Sequence, residues 1–410
     1  MLECINIFKN NGSPVYLCLL DLTKAFDHVK HSLLFKKLSK FVSPLFLRWI
    51  IISYMCQSCF VTYDQANSSV FNVTNGVRQG AVASPHYFNV YLNDLFLIMK
   101  QSGFGCYIDC FYYGLLGYAD DCALLSPTRA GLQNMLDICV KYFADHGIEI
   151  SVDHLIPEKS KTKCMVFNLS SDSDPVPITL NKLNLPWVES AKHLGYIINV
   201  KSNSNVDISS KKAIFLTKTY SLRQELGVQN PDVFMNLVQI YLCAMYGSCL
   251  WDLYSIEATS LFTKWNNLIR NTYDVPYKTH RYIVNDLCLY PIVGEVKHIP
   301  HLRVSLLRRF LKFYTRLENC HRPEVVHLFN LQKYDRRSIF GRNCMNLCSE
   351  YHAASVNNIN SQSVSMRIIT NDSDKWRVPY IRDLLSLRSD ETCNIPRADL
   401  DCMLNFTCCT

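Results

Sequence analysis

Three aspartates stand where apolar sequence would ordinarily exclude them. Asp21 ends the run VYLCLL at 15–20, and Asp120-Asp121 interrupt the apolar segment GYADDCALL. Aspartate is depleted in strands and costly to bury unpaired. Acids at the tips of apolar strands need a compensating charge, and a divalent cation supplies it. Carboxylate oxygens are hard ligands that suit magnesium, which keeps positions open for water and phosphate oxygens. Two such ions about 3.5–4 Å apart activate an attacking hydroxyl and stabilise the leaving oxygen of an in-line displacement. Asp21 and Asp120 lie far apart in sequence, so only the fold can join them. A lone pair of adjacent aspartates is more often a turn cap or part of a solvated loop, and here the surroundings decide.

Residues 15–20 read as a buried strand that delivers Asp21 at its tip. Residues 31–41 and 44–56 read as helices, the second capped by Ser43 with Pro44 in its first position. Residues 60–63 and 70–74 read as a hairpin joined by the polar stretch 64–69. A loop at 75–84 holds Gly76 and Gly80 and leads into a helix over 85–100, with a Ser-Pro start at Ser84. Residues 105–113 and 115–126 are expected as apolar arms of a hairpin around Asp120-Asp121. The spacing of Leu132, Met135, Leu136, Cys139, Val140 and Phe143 predicts a helix over 128–146. Residues 164–167 and 193–200 read as strands, the second entered by the polar stretch 189–192, and 172–185 as a surface connection. From Asp207 onward the pattern is helical, over 208–226, 231–249 and 256–273. After about residue 280 it stays helical in character and carries no interpretable motif. The order implies an α+β fold: a mixed sheet with helices on one face, in the split β-α-β pattern of ferredoxin-like domains.

The chain has 410 residues, room for two or three domains. Hydrophobic residues make up 49% and aromatic residues 12%, ample for buried cores and contrary to disorder. A formal net charge of +7 is compatible with a phosphate-bearing partner but does not by itself require one. The 19 cysteines are scattered, and residues 1–10 lack an export signal, so the thiols are expected reduced in an intracellular protein of the cytoplasm or nucleus. Cys402, Cys408 and Cys409 have no histidine at zinc-knuckle spacing. The apolar run 45–55 contains Arg48 and is too short to span a bilayer, so no membrane partner is expected.

The segments around the acids are LDLTKAFDHV at 20–29, GVRQGAVASPHYFN at 76–89 and GYADD at 117–121. Together they resemble the successive signature blocks of a reverse transcriptase. SPVYLCLLDLTKAFDHV at 13–29, KSKTKCMVF at 159–167 and SAKHLGYII at 190–198 resemble those of non-LTR (LINE-type, jockey-like) retrotransposons in particular. YSLRQEL at 220–226 and YGSCLWDLYS at 246–255 resemble the thumb of such elements. The likeness covers about residues 1–280 and is weaker beyond.

The resemblance implies a right-hand polymerase palm over 1–200, an all-α thumb over 201–280, and a helical C-terminal region of unknown role over 281–410. It implies an RNA-directed DNA polymerase that joins a deoxynucleoside triphosphate to a primer 3′-hydroxyl. Its partners would be an RNA template, a DNA primer, the RNA–DNA hybrid and dNTPs. Its cofactor would be two Mg²⁺ ions, with Mn²⁺ as the alternative. Asp21, Asp120 and Asp121 match the family's catalytic metal ligands. Lys161 resembles a lysine that protonates the pyrophosphate leaving group, with Lys159 and Lys163 as rivals; an ordinary solvated basic stretch is an equal alternative. Phe26 matches the residue beneath the incoming sugar, where a ring excludes a 2′-hydroxyl; the other reading is a core aromatic. Gly76, Arg78, Gln79, Gly80, Ser84 and Pro85 match the nucleotide and template loop. Ala81 and Ala83 depart from the commoner glycine and leucine there. His193, Leu194 and Gly195 resemble a primer-grip turn. Lys211, Lys212, Lys218 and Arg223 would lie along the duplex or form a solvent face. Asp27 reads as structural, favouring the start of the helix after it.

With only 20 residues before Asp21, the chain reads as N-terminally truncated, without an endonuclease or complete fingers. The alternative function is therefore an inactive retroelement relic or a domesticated nucleic-acid-binding module. A third reading, an RNA-copying palm polymerase, is disfavoured by Phe26.

Overall fold

The computed structural model describes residues 1–152, 160–169, 175–228, 230–279, 284, 289–292, 295–350 and 356, with side chains undescribed over 289–298. The chain divides into two compact units. One comprises Met1–Leu194 with Asn199–Ser202, the other Gly195–Ile198 with Asn203–Thr410.

The first unit is built on a four-stranded antiparallel sheet. Its strands are β1 (Val15–Leu20), β9 (Leu115–Tyr118), β10 (Asp121–Ser126) and β12 (Lys163–Phe167), in the order β12-β1-β10-β9. Taken in chain order that is 4-1-3-2, the split β-α-β arrangement. The strand period of two sends Cys18, Leu20, Cys122, Leu124 and Cys164 into one core. That core is closed by α2 (His31–Leu38), α3 (Pro44–Met55), α4 (Ser84–Gln101) and α5 (Arg129–His146). The alternate positions Leu17, Leu19, Ala123, Leu125 and Met165 are buried too. Helix α1 (Leu2–Asn10), which the sequence reading passed over, packs on β1. Two short antiparallel pairs lie outside the main sheet, β2 (Leu22–Thr23) with β11 (Glu149–Ile150) and β13 (Thr179–Leu180) with β14 (Leu183–Asn184).

Local chemistry sets the helix ends. Ser43 accepts a hydrogen bond from the Phe46 amide at 3.4 Å and starts α3, with Pro44 in the first turn. Thr128 accepts from the Gly131 amide at 3.1 Å and starts α5, which ends at Gly147 in the left-handed conformation. Helix α4 begins one residue earlier than expected. Ala83 flanks it, and the Ser84 hydroxyl donates back to the Arg78 carbonyl at 2.5 Å instead of capping the helix.

Several expectations for the first unit need correction. Residues 105–113 are not an arm of the aspartate hairpin. They close a hairpin of their own, β7 (Tyr107–Ile108) with β8 (Phe111–Tyr112), through Asp109 at φ +52°. The expected hairpin over 60–74 is divided in two. β3 (Ser58–Cys59) pairs with β6 (Phe71–Asn72), while β4 (Thr62–Tyr63) pairs with β5 (Ala66–Asn67). Asp64 and Gln65, both at positive φ, make the tight turn. The strand expected over 193–200 is interrupted at Leu194-Gly195, with β15 (Ser190–His193) before the turn and β16 (Tyr196–Asn199) after it. β15 is the stretch read from its polarity as a mere entrance.

The second unit is mainly helical: α6 (Asn205–Leu226), α7 (Pro231–Leu242), α8 (Ile256–Tyr273), α9 (Leu302–Glu318), α10 (Pro323–Gln332) and α11 (Ile339–Glu350). Its core holds Trp251, Trp265, Phe215, Phe310 and Tyr314. Asp207, only 1% exposed, is satisfied by Lys211 at 2.7 Å, the Trp251 indole at 2.6 Å and the Ile197 amide at 3.0 Å. The helix expected over 231–249 stops at Leu242, because Met245 and Gly247 adopt positive φ and a short 3-10 turn follows at Ser248–Leu250. The expectation of helix alone beyond 280 is corrected as well: β17 (Leu289–Ile292) and β18 (Glu295–His298) form a hairpin. Residues 357–410, with Cys402, Cys408 and Cys409, lie outside the described residues. Among the described residues no helix is long and apolar enough to cross a membrane.

Candidate active site

The pairing of β1 with β10 answers how two distant acids meet. Leu20 pairs with Cys122, so Asp21 and Asp121 come next in the same register, at one end of the sheet. Asp120 sits in the two-residue turn between β9 and β10, beside Ala119 at φ +54°. A left-handed alanine costs about 1–2 kcal/mol relative to an ordinary conformation. The backbone of Asp21 is held from both sides: its amide donates to Thr162 Oγ1 at 3.3 Å, and its carbonyl accepts from the Ser151 amide at 2.7 Å.

The electrostatics show that Asp121 senses both other acids. Burial pushes the Asp121 carboxyl above the usual carboxylate range. His193 pulls it down, and the negative charges of Asp120 and Asp21 add to the upward push. His193 itself is lowered, by burial first, against the raising effect of Asp121. His193 therefore stands near the acids. Leu194 follows it at φ +48°, and Gly195 at φ +75°.

Lys161 places its Nζ 3.7 Å from Asp21 Oδ2 while remaining 73% exposed. Its rival Lys163 lies within β12, paired with Leu19, and Lys159 is outside the described residues. Among the described residues no three His, Cys, Asp or Glu side chains form a ready-made ion cage. The donor set of Asp21, Asp120 and Asp121 nonetheless fits a hard cation that keeps part of its water shell. Three mutually repelling carboxylates at one sheet end, with one exposed lysine to offset them, are what such an ion would stabilise.

Gly76, Arg78, Gln79 and Ser84 are fixed by a set of contacts that sequence reasoning missed. Gly76, at φ +92°, lies so close to residues 26–27 that an added Cβ would stand 3.0 Å from the Asp27 carbonyl oxygen. Its amide donates to Val29 O at 2.8 Å, and its carbonyl faces His31 Nε2 at 2.8 Å. The Arg78 guanidinium donates to Ser53 O at 2.6 Å, Ser53 Oγ at 3.1 Å and Gln57 Oε1 at 3.1 Å, and lies over the Tyr54 ring. Gln79 donates to Asp27 Oδ1 at 2.9 Å, so Asp27 serves this loop, and the cap position of α2 falls to Lys30. Gly80 is exposed at φ +83°, and Pro85 stands in the first turn of α4. Phe26 is partly buried and stacks on Phe88, with ring centroids 4.7 Å apart. His31, Ser53, Tyr54 and Gln57 gave no motif signal, because their roles exist only once α2 and α3 pack beside the loop.

Residues 2–198 match the family Reverse transcriptase (RNA-dependent DNA polymerase). Similar curated proteins include the Pol polyprotein from the type-2 retrotransposable element R2DM of Drosophila melanogaster. It is 29% identical over 161 residues, covering 38% of this chain and 15% of that protein. The RNA-directed DNA polymerase from mobile element jockey of Drosophila funebris is 25% identical over 258 residues, covering 60% of this chain and 26% of that protein. Among solved structures, telomerase from Candida albicans in complex with a TWJ fragment of telomeric RNA overlays at TM-score 0.39 and 10% identity. That match covers 90% of this chain and 53% of the telomerase. The chain spans only a minor part of the two retroelement relatives. The register that joins Asp21 to Asp121 thus lies within the segment, residues 2–198, that matches the Reverse transcriptase (RNA-dependent DNA polymerase) family and is similar to polymerases of the R2DM and jockey elements.

Proposed function

We propose that this protein is an RNA-directed DNA polymerase, with residues 1–200 as its palm, 201–280 as its thumb and 281–410 as a C-terminal region of unknown role. The observation that carries the reading is the meeting of Asp21, Asp120, Asp121 and Lys161 at one end of the central sheet. The substrates are a deoxynucleoside triphosphate and a primer 3′-hydroxyl paired to an RNA template, and the setting is intracellular.

Asp21, Asp120 and Asp121 are the residues that would hold divalent ions. Two Mg²⁺, or Mn²⁺ in their place, would supply there the positive charge that activates an attacking hydroxyl and offsets a leaving oxygen. The primer hydroxyl gives up its proton to solvent as its oxygen bonds the α-phosphorus, the bond from that phosphorus to the bridging oxygen breaks, and pyrophosphate departs. Lys161 is exposed enough to reach solvent and near enough to Asp21 to stand at the triphosphate, where it gives a proton to the departing pyrophosphate. Phe26, its ring braced by Phe88, forms the floor that rejects a 2′-hydroxyl. Gly76, Gln79 and Gly80 present backbone and amide groups to the nascent pair. Ser84, through its bond to the Arg78 carbonyl, and Pro85, in the first turn of α4, set where that loop ends. Arg78 braces the loop on α3. His193, Leu194 and Gly195 form the turn that holds the primer end.

The test is extension of oligo(dT) on poly(rA) with Mg²⁺ and dTTP, comparing the chain with Asp120→Asn. The expected result is extension by the first and loss in the second. Extension that survives Asp120→Asn would overturn the site. No extension by either protein would favour a binding module without catalysis.

A further inference from the structure

Helix α9 carries five basic residues and one acid, a large share of the chain's formal excess of +7. Two of the five are committed. Arg303 pairs with Glu350 at 2.6 Å. Arg309 donates to the carbonyls of Cys243 and Ala244, just past the end of α7. The other three, Arg308, Lys312 and Arg316, are spaced one helical turn apart. At about 100° per residue they fall on one strip, with about 6 Å of rise between neighbours. The strip lies opposite the buried side of α9, where Leu306, Leu307, Phe310 and Tyr314 pack. Ordinary solvated helix faces mix both signs of charge. This strip holds no acid, and the three cations make no ion pair with any described residue.

An exposed aromatic stands on the turn that Arg309 holds. Tyr246 is 70% exposed and is presented between Met245 at φ +35° and Gly247 at φ +79°. Gly247 has no room for a Cβ without approaching the Tyr196 ring at 3.3 Å. One side of the Tyr246 ring rests on Gly195, where an added Cβ would come within 3.1 Å. Burial raises the Cys249 thiol, and the charges of Arg309, Arg316 and Lys211 oppose it, so Arg316 of the strip is close enough to act on the turn that follows Tyr246.

We propose that Arg308, Lys312 and Arg316 together with Tyr246 form a track for single-stranded RNA. The cations would neutralise successive phosphates, and the tyrosine would stack an unpaired base. A duplex offers the same phosphates but no free base face, so the tyrosine favours the single strand. That the strand is RNA rests on the polymerase reading above. The binding itself needs neither nucleotide nor extension, so a chain that copies nothing still tests the track.

The experiment is fluorescence anisotropy of a labelled 20-nucleotide RNA titrated with the full chain across a KCl series, alongside an RNA–DNA hybrid of the same sequence. Arg308→Gln, Lys312→Gln and Arg316→Gln combined are expected to lower the steepness of log K against log salt by about two, from about 0.7 per lost single-strand phosphate contact. The charge-preserving set Arg308→Lys, Lys312→Arg and Arg316→Lys is expected to keep the slope, which separates charge from folding. Tyr246→Ser is expected to weaken single-stranded RNA about tenfold and leave the hybrid unchanged. An unchanged slope in the glutamine variant would overturn the track. So would equal weakening by the charge-preserving set, or equal loss of hybrid and single strand in Tyr246→Ser.

Discussion

The His31 imidazole lies 2.8 Å from the carbonyl oxygen of Gly76 and joins the start of α2 to the loop beneath the candidate nucleotide site. His31 is 7% exposed and packs edge-on against Tyr54, whose ring in turn carries Arg78. Removing this bond leaves a buried carbonyl unpaired, at a cost of about 1–3 kcal/mol. His31→Ala is therefore expected to lower the urea midpoint and speed amide exchange at Gly76 and Val77. His31→Gln, which can donate in the same direction, should restore most of both. Equal exchange in the alanine variant and the parent would show that the bond does not hold the loop.

Gly76 tests the same loop from the backbone side. At φ +92°, with the Asp27 carbonyl 3.0 Å from where a Cβ would lie, alanine is strained and crowded at once. Gly76→Ala should cost about 1–3 kcal/mol in denaturant unfolding, from the left-handed conformation and the close backbone together. An alanine variant as stable as the parent would contradict the close approach of the loop to residues 26–27.

Lys161 is the residue whose loss should separate chemistry from stability. An ion pair with so exposed a lysine contributes about 0–1 kcal/mol to folding, so Lys161→Ala should unfold like the parent. As a general acid it should still be worth about 10²–10⁴ in single-turnover nucleotide incorporation. Lys161→Ala with an undiminished rate would remove it from the mechanism and return attention to its neighbours.

A buried polar network predicts how stability responds to pH. Lys37 Nζ bonds Tyr91 O at 2.5 Å, Tyr142 Oη at 2.9 Å and His146 Nε2 at 2.9 Å, and pairs with Asp94 at 3.1 Å. His146 Nδ1 faces Tyr142 O at 2.7 Å. A neutral ring that donates from Nδ1 and accepts from Lys37 at Nε2 satisfies both contacts. Burial accordingly lowers the His146 pKa, with Lys37 adding to the effect against the Tyr142 carbonyl and the acids. The unfolded chain then binds the proton more readily than the folded one. The stabilising contribution is present above the ordinary value of 6.5 and is lost as pH falls below it. Urea unfolding measured from pH 8 to 5 should show stability falling in the acid part of the range, with a shallower fall in His146→Gln. Identical pH slopes in the two proteins would refute the assignment.

Much of this protein is determined by local sequence. The apolar run 15–20 is β1, the cap at Ser43 starts α3, and the spacing from Leu132 to Phe143 makes α5, because strand period, capping and helical period act over a few residues. The aspartates announced themselves by standing among apolar neighbours. Local pattern misjudged 105–113, 190–193 and the end of α7, where the non-glycine residues Asp109, Leu194 and Met245 adopt positive φ, a conformation that their residue types do not announce.

Only the tertiary structure separated Lys161 from Lys163, since strand pairing takes Lys163 into the sheet and leaves Lys161 at its end beside Asp21. It also decided that Arg78 braces against α3, and that Arg303 and Arg309 of α9 are committed to Glu350 and to the end of α7. Those facts depend on which helices and strands become neighbours, and contacts between residues dozens of positions apart leave no periodic trace in one sequence.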